Sequence, residues 1–121
     1  MNLSNHPNGD WSSGQRSAAI ALGFGPIADF PFPDVPPEAG TEEIMALADR
    51  ILGEITASGA KAVMIQGEFS LTYSLIRRFV SASIPCYAAC SKRIGSSTFG
   101  ERGATIRESY FEFVQFRRYE Q

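Results

Sequence analysis

Short apolar runs and amphipathic stretches alternate along this chain. Ala62 to Ile65 is uninterrupted and apolar, the pattern of a strand buried on both faces. Gln66 and Gly67 end that run, and Leu71, Leu75, Ile76 and Phe79 then recur at helical spacing. The stretch predicts strand, tight turn, helix. The longest amphipathic pattern runs through Ile44, Met45, Leu47, Ala48, Ile51, Leu52 and Ile55. Thr41 is its expected cap, Glu42 and Glu43 face the positive end of its dipole, and it ends near Ser58 and Gly59. Upstream, Met1 to Ser4 predicts a first strand with Leu3 inward, followed by a turn through Asn5, His6, Pro7, Asn8 and Gly9. A helix then starts at a capping-box pair, Ser12 and Gln15, buries Ala18, Ala19 and Leu22, and stops at Gly23.

Pro26 to Phe32 predicts a short second strand, after which Pro31, Pro33, Pro36 and Pro37 impose an extended linker. Ile84 to Cys90 is another buried run, with Pro85 near its start, and it is expected to end at Ser91, Lys92 and Arg93. Gly95 to Gly103 reads as a flexible loop or loose hairpin turn. Thr105 to Tyr119 reads as a long closing strand, with Phe111 and Phe113 on one face and Tyr110, Val114 and Phe116 nearer the other. This order implies an α/β fold in a single domain over residues 1–121. The expected sheet is mostly parallel, of about five strands, with helices on both faces and an antiparallel C-terminal strand. Asn5 to Trp11, Gln66 to Ser70 and Ser91 to Arg93 then gather at one edge. In such sheets ligands sit at the carboxyl ends of strands, where helix N-termini present free N–H groups to anions.

At 121 residues one core is the expectation, and a formal charge of -2 argues against duplex DNA as a partner. Arg77, Arg78, Lys92, Arg93, Arg102, Arg107, Arg117 and Arg118 nevertheless crowd the C-terminal half, which leaves room for a local basic pocket. Cys86 and Cys90 read as small packed side chains. There is no signal-peptide pattern, no apolar stretch of membrane-spanning length and no disulfide framework. The cytoplasm is therefore the expected compartment, with no membrane partner.

No Walker A, GxSxG or GxGxxG pattern is present, so candidate chemistry rests on residues at the strand ends. His6 is the only histidine. With no cluster of His, Cys and acids beside it, no metal or other cofactor is expected. It is able to protonate a leaving alkoxide, or it is a turn histidine held by backbone hydrogen bonds. Glu68 either favours its helix dipole or accepts a ribose hydroxyl proton or bonds an adenine edge. Trp11 and Gln15 either open and cap the first helix or contact a base, the indole by stacking. Gln66, Gly67 and Ser70 mark the turn after the central strand, where Gly67 permits close backbone approach. Lys92 and Arg93, following Ser91, either grip a phosphate or are a solvated strand end. Arg77 and Arg78 read as structural or as part of an oligomer face, and Arg117 and Arg118 as charge protecting a strand edge.

The opening SNHP with Trp11 and Gln15 behind it, FPFPDVPP, GEFSLTYSLI, CSKR and the FEFVQFRRY tail together resemble small stand-alone CRISPR-associated proteins with a Rossmann-like, CARF-type fold. The similarity covers most of the chain, through short motifs. It implies type III CRISPR signalling, a cyclic oligoadenylate ligand (cyclic tetra-adenylate above others) and a homodimer holding the ring across its two-fold axis. Some members are ring nucleases. For them the implied route is metal-independent, a ribose 2′-hydroxyl attacking the neighbouring phosphorus. Carried onto this chain, His6 would assist the departing 5′-oxygen, Glu68 would take the 2′-hydroxyl proton, and Lys92 or Arg93 would hold the phosphate with help from backbone N–H groups near Gly67 and Ser70. Asn5, Trp11, Gln15, Gln66, Gly67, Ser70, Ser91 and Arg93 would bind the ligand. A binding or sequestering module without cleavage, and a structural dimer without a nucleotide, remain the two rival readings.

Overall fold

The computed structural model describes residues 1–99 and 105–121, with side chains described outside 96–109. Its elements are β1 (Asn2–Ser4), α1 (Ser13–Ala21), β2 (Asp29–Pro31), α2 (Thr41–Ala57), β3 (Val63–Ile65), α3 (Phe69–Ser81), β4 (Cys86–Phe99) and β5 (Thr105–Arg118). They form one five-stranded sheet in the order β2-β1-β3-β4-β5. The first three pairings are parallel and β4 with β5 is antiparallel. The fold is thus α/β with a mixed sheet.

Helices cover both faces because β3 and the start of β4 are apolar on both, while β1 turns Leu3 to one face. On one side α2 and α3 bring Ala48, Ile51, Ile55, Leu71, Leu75 and Phe79 against Leu3, Val63, Ile65 and Cys86. On the other, Trp11, Ala19 and Phe24 pack on Met64, Tyr87 and Phe116. Burial pushes the Cys86 thiol up to about 12, with nearby Arg118 pulling weakly the other way. It behaves as a packed small side chain. Arg78 serves structure too, its Nε donating to Asp49 Oδ1 at 2.6 Å and so tying α3 to α2.

Several boundaries depart from the sequence expectations. The second strand is shorter than Pro26 to Phe32. It is an edge strand, and its one ladder partner, β1, supports only Asp29 to Pro31. Gly40, not Thr41, occupies the cap of α2, in extended conformation and with no side chain to contribute. The largest departure is β4, which does not stop before Ser91 but pairs with β5 as far as Phe99. Lys92 and Arg93 therefore lie within a strand. The expected loop from Gly95 is strand through Phe99, and the remainder, 100–103, falls outside the described residues.

A register shift follows Cys90 and Ser91. Cys90 pairs with Gln115 and Ser91 with Phe113, leaving Val114 as the extra residue. A bulge of this kind resets alternation. Phe116 consequently shares a face with Phe113, their ring centroids 4.9 Å apart, instead of lying nearer the face of Tyr110. Only Cys86 and Tyr87 of β4 pair with β3. Beyond them β4 and β5 continue as a two-stranded arm that faces the start of α1.

Candidate functional site

β1 and β3 are neighbours, yet β1 leads into α1 on one face of the sheet and β3 into α3 on the other. Where neighbouring parallel strands diverge in this way, a crevice opens outside their carboxyl ends. An open cleft of about 850 Å³ occupies that place. Its walls are His6 and Trp11 from the β1–α1 connection, Gln15 from the first turn of α1, Met64 from β3 and Gln66 just after it, Ala89 and Ser91 from β4, and Tyr110 to Phe113 from the arm. Asp10, Ser12 and Gly14 complete the mouth at the start of α1.

The segment presenting His6 is held by polar groups that periodicity does not flag. Asn2 and Ser4 are both buried, on the strand positions flanking Leu3. Asn2 Nδ2 donates to the His6 carbonyl at 2.7 Å and to Asp29 Oδ1 at 2.8 Å, while Ser4 Oγ donates to Asn2 Oδ1 at 2.7 Å. Trp11 Nε1 donates to the same His6 carbonyl at 3.1 Å, and the Asn8 backbone N–H donates to Asp29 Oδ1 at 3.0 Å. Arg16 closes the far side through Asn8 O at 2.6 Å. The backbone of His6 is thus pinned by Asn2 and Ser4 of β1 and by Trp11, and the exposed His6 lines the cleft. These partners were missed because a buried Asn in a three-residue strand looks, in sequence, like a strand end.

Trp11 is buried against Phe116, so the reading of it as the anchor at the start of α1 describes its packing, and it also lines the cleft. Ser12 Oγ accepts from the Gln15 backbone N–H at 3.1 Å, half of the expected capping box, and the Gln15 side chain lines the cleft. Gln66 Nε2 donates to the Ala89 carbonyl at 3.1 Å, which fastens its amide across β3 and β4.

The other expected site residues lie elsewhere. Glu68 is the N-cap of α3. Its carboxylate accepts from the backbone N–H groups of Ser70 at 3.0 Å and Leu71 at 2.8 Å, and from the Ser70 hydroxyl at 2.7 Å. Those bonds, the Leu71 N–H first, hold its pKa below the ordinary value, which makes it a poor proton acceptor. They also fill the helix N-terminus where an anion was expected, so the anion already there is the protein's own. Gly67 owes its lack of a side chain to packing: a Cβ there would lie 2.5 Å from the buried Phe32 ring. Ser70 faces a different, more apolar groove of about 790 Å³ between α2 and α3. Asn5 is exposed and does not line the cleft. Lys92 stands opposite Glu112 in the ladder and Arg93 opposite Phe111, and neither lines the cleft.

The cleft therefore joins His6, Trp11, Gln15, Gln66 and Ser91, and leaves out Asn5, Gly67, Glu68, Ser70, Lys92 and Arg93. Its walls carry amides, hydroxyls, an imidazole and aromatic rings, with the carboxylates of Asp10 and Glu112, in place of the cationic cradle expected from Lys92 and Arg93. Among the described residues no three His, Cys, Asp or Glu side chains come together, and no helix is long and apolar enough to cross a membrane. A family model described as the uncharacterized protein MJ1673 family matches residues 1–117. No curated protein and no solved structure matches the chain.

Proposed function

The chain belongs to the MJ1673 family, and we propose that the cleft outside β1 and β3 binds a cyclic oligoadenylate, the ring lying across the two-fold axis of a homodimer. The fold is then read as Rossmann-like of the CARF type, in keeping with the strand order and with the resemblance of the short motifs. One observation carries the reading: His6, Trp11 and Gln15 from one stretch of the chain, Gln66 from a second and Ser91 from a third line one cleft at the place where α/β sheets hold nucleotides. The amides and Ser91 suit base and ribose edges, and the exposed rings of Tyr110 and Phe111 offer faces for stacking. The first turn of α1 opens on the same cleft and favours a phosphate there.

Cleavage, on this reading, is an in-line attack by the ribose 2′-hydroxyl on its neighbouring phosphorus. The P–O5′ bond breaks, the 5′-oxygen leaves with a proton from His6, and a 2′,3′-cyclic phosphate remains. The 2′-hydroxyl proton goes to solvent, since Glu68 is held in its cap. That removal of the base favours the second reading, a module that binds or sequesters the ring without opening it.

Incubation of purified protein with cyclic tetra-adenylate, with and without EDTA, separates these readings. Linear product carrying a cyclic phosphate in both arms is expected from a ring nuclease, and His6→Ala should slow its formation about a hundredfold or more. Intact bound ligand identifies the sequestering module. Absence of binding refutes the proposal, and product abolished by EDTA refutes the metal-free route.

A further inference from the structure

We infer that Gln66 makes the cleft selective for a ring bearing an exocyclic amino group, as adenine does, over one bearing a keto oxygen at the same position. This inference rests on the cleft being a nucleotide site, and it assigns a residue to the choice of base. The Gln66 amide has only one orientation open to it. The group 3.1 Å from its Nε2 is a carbonyl, that of Ala89, which accepts and cannot donate. Turning the amide over would set two oxygens against each other. Its Oε1 is consequently a fixed acceptor, and among the described residues nothing donates to it.

Gln66 and Ala89 both line the cleft, and the side chain is half-buried at the end of a strand packed on both faces. A fixed acceptor in such a place requires a donor from the ligand, and an acceptor without one is unfavourable once water is displaced. An amino-substituted ring supplies an N–H. Inosine carries a keto oxygen where adenosine has the amine, and a proton on the adjacent ring nitrogen N1; seated as adenosine is, it turns the oxygen toward Oε1. Phe113 shares the face of Ser91 through its register and supplies an aromatic surface beside the amide.

The test is a chemical-shift titration of ¹⁵N-labelled protein with adenosine 5′-monophosphate, inosine 5′-monophosphate and N6,N6-dimethyladenosine 5′-monophosphate, repeated on Gln66→Met. Adenosine monophosphate is expected to shift the Gln66 and Ala89 resonances and to bind about 5- to 150-fold more tightly than the other two, the span that one good base contact provides. In Gln66→Met that preference should vanish, with a dispersed spectrum reporting an intact fold. Equal binding of all three by the natural chain, a preference that survives in Gln66→Met, or no shift with any of them at millimolar concentration would overturn the inference. Should Gln66→Met not fold, purine riboside 5′-monophosphate decides, because it has hydrogen in place of the amine and adds no bulk: binding as tight as that of adenosine monophosphate would overturn the inference. Amine selectivity in a protein that fails to bind cyclic tetra-adenylate would sustain this inference and refute the proposed messenger. Binding of the messenger with no role for Gln66 would do the reverse.

Discussion

Single residues decide which groups are available for chemistry. Glu68 sits beside the turn after β3, where sequence suggests a proton acceptor, but the start of α3 leaves backbone N–H groups without helical partners and the nearest carboxylate takes them. Glu68→Ala should lower the urea midpoint while leaving the affinity of the cleft for cyclic tetra-adenylate unchanged. The sign of the pH dependence follows from its lowered pKa. The stabilisation is present above the ordinary value of 4.5 and is lost as pH falls through the lower folded value. The gap in urea midpoint between the natural chain and Glu68→Ala should therefore close on acidification. Asn2 is the converse case, a polar residue inside the sheet. Asn2→Ala would leave Ser4, Asp29 and the His6 carbonyl short of partners, at a cost of about 1–3 kcal/mol in denaturant unfolding, and would slow any reaction that depends on His6.

At the level of elements, the β3–α3 turn and the proline-rich linker are one packing unit. Phe32 follows the edge strand β2, its N–H donating to the Ser4 carbonyl at 3.3 Å, and its ring lies over the backbone of Gly67. Gly67→Ala must displace a buried ring in a packed core and should destabilise the protein by about 1–3 kcal/mol in urea unfolding. An unchanged midpoint would show that the ring moves freely. A glycine after a strand can mean approach of a ligand or approach of another part of the chain. The sequence motif is the same in both cases, and only the position of Phe32 distinguishes them.

For the whole molecule, the sheet divides into a part buried on both faces and an arm. β1 and β3 are buried at every position, whereas Tyr110, Phe111 and Val114 on the arm are exposed. Two strands alone are marginal in water. Backbone amides of residues 91–95 and 110–113 should accordingly exchange with deuterium faster than those of β3 and of Cys86 and Tyr87. Protection appearing there on addition of cyclic tetra-adenylate would tie the arm to the ligand, since Tyr110 to Phe113 form one wall of the cleft. Equal protection across the sheet without ligand would contradict the division.

The alternation of apolar runs with amphipathic periods was sufficient to predict the order of elements, the mixed sheet with its antiparallel last strand and the helices on both faces. These depend on local spacing and on the sterics of connecting parallel strands. It also pointed to residues at expected strand ends and helix starts, of which His6, Trp11, Gln15, Gln66 and Ser91 line one cleft while Asn5, Gly67, Glu68, Ser70, Lys92 and Arg93 do not. What spacing does not contain is where side chains find their partners. That Glu68 turns back on its own helix, that Phe32 fills the place beside Gly67, that Asn2 reaches His6 and that a bulge at Val114 rotates the aromatic strand were settled by tertiary structure alone. Each depends on a hydrogen-bond partner or a neighbouring ring brought close only after the sheet has assembled.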